Sequence, residues 1–316
     1  MANFLLVLWA IIPPLLFLAY YYFRISTPPP LLKLLLLFIL GGISGFVALG
    51  LEIVFETVAN WVVNWRQMNY SLPGIALRQL VEIGPIEEGC KLVTVIAPSY
   101  YLQRRYRLRP STVFVFTIAV ALGFTAQENC VYLFNNTASI LNRIIGTPVH
   151  ALFSAPWGYA LAMHFSHNRN LLFLAWLNSV ICHAIVNVLS NTGRYSLPLL
   201  LLNYVLFPFL LWMFWRMEQL LRRVEGKRPI NLISGKTLQH RYWQRGLVIF
   251  ALMLGGNAIF ALFILAQKLS YLSWSQLFYP DILWYTVTRF AINLIFATIA
   301  WSIYIYLRRS AQRRYF

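Results

Sequence analysis

Acidic residues are scarce in this 316-residue chain: nine Asp and Glu stand against 26 Lys and Arg, and Asp281 is the single aspartate. A hydrolase that works through a pair of aspartates is therefore excluded. Charge of either sign is thin, at 11% of residues beside 59% hydrophobic ones, too little to coat a water-soluble domain. Cysteine is rare as well. Cys90, Cys130 and Cys182 each sit inside an apolar run, form no CxxC pair and make no even-numbered disulfide framework, so they say nothing of the redox compartment. HExxH, the usual signature of a zinc protease, does not occur. The first residues, MANFLLVLWAIIPPLL, carry no Lys or Arg ahead of the apolar stretch and no small-residue cleavage site, which reads as a retained span and not as a signal peptide. No internal repeat or low-complexity stretch interrupts the pattern.

Long apolar runs fill the chain instead. A helix needs about 20 apolar residues to cross about 30 Å of hydrocarbon, which predicts about nine crossings, near 4–23, 34–55, 80–102, 111–133, 145–166, 171–190, 197–217, 246–266 and 282–307. The expected fold class is all-α, a polytopic transmembrane helix bundle forming a single membrane domain over 1–316. Its core lies at 80–190, with extra helices at 1–56 and 197–307 and a cytoplasmic loop at 218–245. Segment 57–79, with Trp61, Trp65, Arg66 and Tyr70, reads as interfacial, as do Glu52 and Glu56. A formal net charge of +17 would suit nucleic acid if the basic residues formed one patch on a soluble fold. They are spread through short loops, so the lipid bilayer is the expected partner and nucleic acid is not. Basic residues gather at Arg24 and Lys33, at Arg104 to Arg109, at Arg169, along 222–245, and at Arg308, Arg309, Arg313 and Arg314. The alternate loops hold only scattered ones such as Arg143, Arg194 and Lys268. Basic loops stay in the cytoplasm, so the N-terminus is expected outside and the C-terminus inside.

Ionisable groups in hydrocarbon are costly and mark a partner or a wet cavity. The third predicted span carries Glu87, Glu88 and Lys91 in EEGCK, and the fourth carries Phe124, Glu128 and Asn129 in FTAQEN. The fifth spaces His150, Ser154 and Gly158 by four in HALFSAPWG; the sixth does the same with His183 and Asn187 in HAIVN. Arg289 is alone in the ninth and is expected to snorkel outward. At about 1.5 Å per residue from the cytoplasmic boundaries, Glu87, Glu128 and His150 lie about 25, 28 and 25 Å deep, and His183 and Asn187 about 20 and 26 Å. The boundary used for His150 is His167. Four helices of alternating direction thus bring their polar groups to one layer in the outer half of the membrane, as a shared site open to extracytoplasmic water requires. A proton-coupled transporter, which calls for inverted repeats and polar groups at several depths, is the weaker alternative, together with a non-catalytic membrane scaffold.

EExxK, FxxxEN, a histidine followed by small residues at four and eight, and HxxxN, in this order on successive helices, resemble the PrsW-type intramembrane proteases. Those are similar to the CAAX-processing and bacteriocin-processing membrane proteases. The resemblance covers roughly 82–190 and leaves the first two spans, the long loop and the last two spans outside the motifs. The wider group typically has FxxxH, whereas Phe124 to Glu128 is the PrsW form. The resemblance implies a bacterial plasma-membrane enzyme that cuts membrane-anchored proteins, an anti-sigma factor in one known role.

Peptide hydrolysis needs an activated water, a donor for the oxyanion and a proton for the leaving amine. A carboxylate among apolar helices can act as general base if another charge keeps it ionised. Glu87 is the expected base, with Lys91 one turn along to pair with it or with Glu88. His183 would hold the water and shuttle the proton, and Asn187 would donate to the oxyanion. Glu128 and His150 would complete the polar wall beside Asn129, orient His183, or join Glu87 and His183 around a metal. Such a set suits Zn²⁺ with water in the remaining position, so metal-free and metal-dependent chemistry both stay open. Blander roles are a helix-internal ion pair for Glu88 with Lys91, and close helix approach at Ser154 and Gly158. GISG at 42–45 matches the rhomboid GxSG, but its serine precedes any partner in the wrong order and leaves the glutamates unexplained. A thiol nucleophile at Cys182 is disfavoured because neighbouring residues on a helix point about 100° apart.

Overall fold

The computed structural model describes residues 2–164, 169–194, 199 and 201–312. His167, Arg313 and Arg314 lie outside the described residues. Regular structure among the described residues is helical: α1 (Ala2–Arg24), α2 (Leu31–Ala59), α3 (Leu72–Arg78), α4 (Gly84–Tyr106), α5 (Pro110–Phe134), α6 (Ile140–Gly146), α7 (Val149–His164), α8 (Arg169–Asn191), α9 (Asn203–Val224), α10 (Leu238–Leu269), α11 (Trp274–Leu277) and α12 (Pro280–Gln312). Six of these are long and apolar enough to cross a membrane: α1 from Phe4, α2, α5, α8 from Asn170, α10 and α12. The other three predicted crossings also form helices, and the reason each falls short is local. α4 carries Glu87, Glu88 and Lys91 and ends on Arg104 and Arg105; α7 is described over 16 residues; the second half of α9 carries Arg216, Glu218, Arg222 and Arg223.

The helices divide into two compact units, one made of Met1–Val188 with Arg216–Arg228, the other of Leu189–Trp215 with Pro229–Phe316. In the first, α5 is the central rod, sheathed by α1, α2, α4 and α7 and buried continuously from Ser111 to Gln127. Its run of Val, Thr, Ala, Gly and Phe has no charge before Glu128, so it can be enclosed on every side. Glycine sets how closely its neighbours come. A β-carbon on Gly123 would lie 1.8 Å from the carbonyl oxygen of Phe38, and one on Gly41 2.1 Å from that of Val120. α2 and α5 therefore touch backbone to backbone. Ser44, the serine of the rhomboid-like GISG, is buried in this seam and donates to the carbonyl of Gly41 at 2.7 Å. Gly158 of α7 lets Thr117 of α5 approach in the same way.

A short 3₁₀ turn (Trp65–Tyr70), α3 and a π turn (Gln79–Ile83) lead into α4. The predicted third span thus begins as a helix only at Gly84, where Pro85 can serve as a first-turn residue. Arg78 donates to Glu82 through Nε at 2.9 Å and to Glu56 through Nη2 at 2.9 Å. Trp65 Nε1 donates to Glu82 Oε2 at 2.5 Å and Arg66 Nε to Glu56 Oε1 at 2.6 Å. This cluster fastens the end of α2 to the entry of α4. At Gly84 the start of α4 rests on Val180 of α8. At the opposite end of the unit Arg24 pairs with Glu218, and Ser26 donates to Glu225 through both its amide and its hydroxyl.

In the second unit α10 and α12, joined by a connection that holds α11, pack side by side along their length. Ile249, Phe250, Ile259, Phe290, Leu294, Ile295 and Trp301 are exposed on them, as lipid-facing side chains are. Gly256 seats Pro208 of α9, and Phe207 meets Phe260 with ring centroids 5.1 Å apart. Arg289 lies over the ring of Tyr285 at 5.4 Å.

Candidate active site

Helical periodicity puts Glu87, Glu88 and Lys91 on adjoining faces of α4, His150, Ser154 and Trp157 on one face of α7, and His183 and Asn187 on one face of α8. Lys91 lies at the centre, fully buried. Its Nζ donates to Glu87 Oε2 at 3.1 Å and Glu88 Oε1 at 2.9 Å, and stands 3.0 Å from His150 Nδ1. The ring of Phe124 lies 3.9 Å away on another side. Glu88 is fully buried too, and its second oxygen accepts from Ser154 Oγ and Trp157 Nε1, both at 2.9 Å. A buried carboxylate satisfied on both oxygens is a fixed element of the site.

The ammonium is a donor only, so His150 Nδ1 must accept and the imidazole proton must sit on Nε2. That nitrogen donates to Glu128 Oε2 at 2.8 Å. The same oxygen takes Arg143 Nη2 at 2.6 Å, while Arg143 Nε donates to Asn129 Oδ1 at 2.6 Å. Asn129 Nδ2 completes the chain by donating to the carbonyl of Ala10 at 3.3 Å. One connected network therefore runs from α6 through α5 and α7 to α4.

Glu87 and His183 differ from the rest. Glu87 gives Oε2 to Lys91 and keeps 9% of its side chain exposed. His183 stacks on Phe153, with centroids 4.5 Å apart and planes at 13°. Its Nε2 is 3.9 Å from Glu87 Oε2 and its Nδ1 3.8 Å from Glu88 Oε1, too far for direct hydrogen bonds. Nδ1 is buried with no hydrogen-bond partner among the described residues. Asn187, one turn on, donates to Gln79 Oε1 of the π turn at 2.8 Å.

Glu87, Glu88, Lys91, Glu128, Asn129, His150 and His183 are thus brought together, with Asn187 at the next turn of α8. Arg289 belongs to the other unit. Sequence reasoning passed over Arg143, Trp157 and Gln79, and took Ser154 for a spacer when it is a donor to Glu88. One signal was present: Trp157 lies seven residues after His150 and hence on its helix face. Cys182 Sγ is turned to Asn178 Oδ1, 3.9 Å away, on its own helix.

As placed, these side chains do not fit a divalent ion. The point between Glu87 Oε2, Glu88 Oε1 and His150 Nδ1 is filled by Lys91 Nζ, and Glu128 sits on the far nitrogen of His150.

A family model described as PrsW family intramembrane metalloprotease matches residues 29–213. Protease PrsW of Clostridioides difficile (strain 630) is 27% identical over 144 residues, which are 42% of this chain and 58% of that protein. Protease PrsW of Shouchella clausii (strain KSM-K16) is 26% identical over 157 residues, 46% of this chain and 69% of that protein. The chain therefore spans little more than half the length of the first of these relatives. No solved structure matches. The family model takes in more than half of the 316 residues, and α4, α5, α7 and α8 with all their acids and histidines fall inside it, so the chain belongs to the PrsW family.

Proposed function

We propose that this protein is an intramembrane protease that hydrolyses peptide bonds of membrane-anchored proteins near the extracytoplasmic side of a bacterial plasma membrane, with its N-terminus outside and its C-terminus in the cytoplasm. One observation carries the proposal. Within a network whose other acids are tied down, the partly exposed Glu87 has Oε2 3.9 Å from His183 Nε2, a gap that a water can bridge, and His183 Nδ1, on the Glu88 side, has no hydrogen-bond partner among the described residues. In this reading Glu87 takes the proton of a water that His183 steadies, and the resulting nucleophile attacks the scissile carbonyl. Asn187, held by Gln79, donates to the developing oxyanion, and Glu87 returns its proton to the leaving amine. Lys91, Glu88, Glu128 and His150 fix the geometry, and Arg143 closes the network on its outer rim. An anti-sigma factor is the substrate that the family resemblance suggests.

The test is cleavage of tagged single-span membrane proteins co-expressed with each variant. Glu87→Gln is expected to lower cleavage by about 10²–10⁴-fold, the usual worth of a general base, and His183→Ala by about 10²-fold. Native-level cleavage by both variants would remove the mechanism.

A further inference from the structure

We propose that the Lys91 ammonium takes the cation position of this site in place of a divalent metal, and that its ligands accept Zn²⁺ only once Lys91 is gone. The match of geometry is close. Three N–H groups meet three acceptors, Glu87 Oε2, Glu88 Oε1 and His150 Nδ1, at 3.1, 2.9 and 3.0 Å. Those are ammonium distances, whereas Zn²⁺ draws its ligands to about 2.0–2.2 Å. The spacing of the acceptors is nonetheless that of a metal site. Glu87 Oε2 and His150 Nδ1 are 3.6 Å apart, and two ligands of a tetrahedral zinc stand about 3.3 Å apart.

Lysine and metal exclude one another here. The lysine side chain is wholly buried, with the ring of Phe124 3.9 Å from Nζ, so it has no water-filled space into which to withdraw. A cation is needed in any case, because Glu87 and Glu88 approach a common point and two unpaired carboxylates in a dry bundle repel strongly. The family description names a metalloprotease; in this chain the lysine of EEGCK does the electrostatic work of an ion.

The inference goes beyond the protease reading and is tested without substrate, so the two fail separately. The full chain is purified in detergent without chelator, its metal content is read by plasma mass spectrometry, and its thermal unfolding is followed with and without added Zn²⁺. The native protein is expected to hold less than about 0.1 metal per chain and to show no zinc-dependent shift, and Lys91→Met to hold about one zinc and melt several degrees higher with it. If Lys91→Met does not fold alone, Zn²⁺ is expected to restore a monodisperse protein. The Lys91→Met/Glu88→Gln pair, which removes one charge of each sign, provides a second host. About one divalent ion per native chain would overturn the proposal, as would variants that neither bind Zn²⁺ nor are rescued by it.

Discussion

The hydrogen-bond direction at one imidazole organises the site. Because Lys91 can only donate, His150 is held with its proton on Nε2, and Glu128 with Arg143 fixes that choice from the other side. In ¹⁵N-labelled protein, His150 is expected to show an acceptor-type Nδ1 and a protonated Nε2, and Lys91→Met is expected to abolish that pattern. Glu128→Ala should lower cleavage by about 10–100-fold, the usual loss when a group that orients an active-site histidine is removed, with Arg143→Lys closer to native than Arg143→Gln. A histidine ring turned the other way would show the reverse ¹⁵N pattern and end this account. Glu87, Glu128, His150 and His183 were legible in the sequence because a titratable group in hydrocarbon is conspicuous. Arg143 was not, since an arginine in a loop looks like any other topology signal, and Trp157 was lost among apolar neighbours.

At the scale of helices, the site depends on how closely α2 and α5 approach. Gly123 and Gly41 place backbone against backbone, so Gly123→Val must push the two helices apart and is expected to cost about 1–3 kcal/mol, seen as a lower melting temperature in detergent. Ser44→Ala in the same seam removes only a hydroxyl that bonds its own helix, and cleavage should stay at the native rate. Loss of activity there would revive serine chemistry. Such contacts leave a trace in sequence as small residues, GGISG and GF, but which helix fills the gap is a tertiary fact. The start of α4 was legible, since Gly84 and Pro85 interrupt the third apolar run and the helix begins there; the π turn before it, where Glu82 bonds Arg78 and Trp65, was not.

The turn between α1 and α2 supplies a pH-dependent contact outside the spans. Burial disfavours the charge of Glu225, but hydrogen bonds from the hydroxyl and amide of Ser26, with Lys227 3.3 Å away, outweigh it and hold the carboxyl below its ordinary value. A depressed folded value means the contact is fully present above the unfolded value and is lost as pH falls through the folded one. The difference in melting temperature between native protein and Glu225→Gln is therefore expected at neutral pH and should fade below about pH 4.3.

For the molecule as a whole, the number of crossings decides which side of the membrane each loop faces. Length and apolarity single out six helices, whereas the pattern of basic loops calls for nine. Within the first unit α4 and α7 pack against α5, which is of membrane length, beside α1 and α2. α4 falls short on composition because it carries Glu87, Glu88 and Lys91, the same feature that made it conspicuous, and α7 on its 16 described residues. With the N-terminus outside, the two counts predict opposite labelling. With Cys90, Cys130 and Cys182 replaced by alanine, single cysteines at the exposed positions Tyr106, Thr137, Arg228 and Tyr271 are treated with a membrane-impermeant thiol reagent on intact cells. Nine crossings with the N-terminus outside label Thr137→Cys and Tyr271→Cys and leave Tyr106→Cys and Arg228→Cys protected. Six crossings with the N-terminus outside reverse all four and put the basic cluster at Arg104 to Arg109 on the outer face, against the charge rule; six with the N-terminus inside leave the four unchanged and instead label Thr27→Cys between α1 and α2, which nine crossings protect.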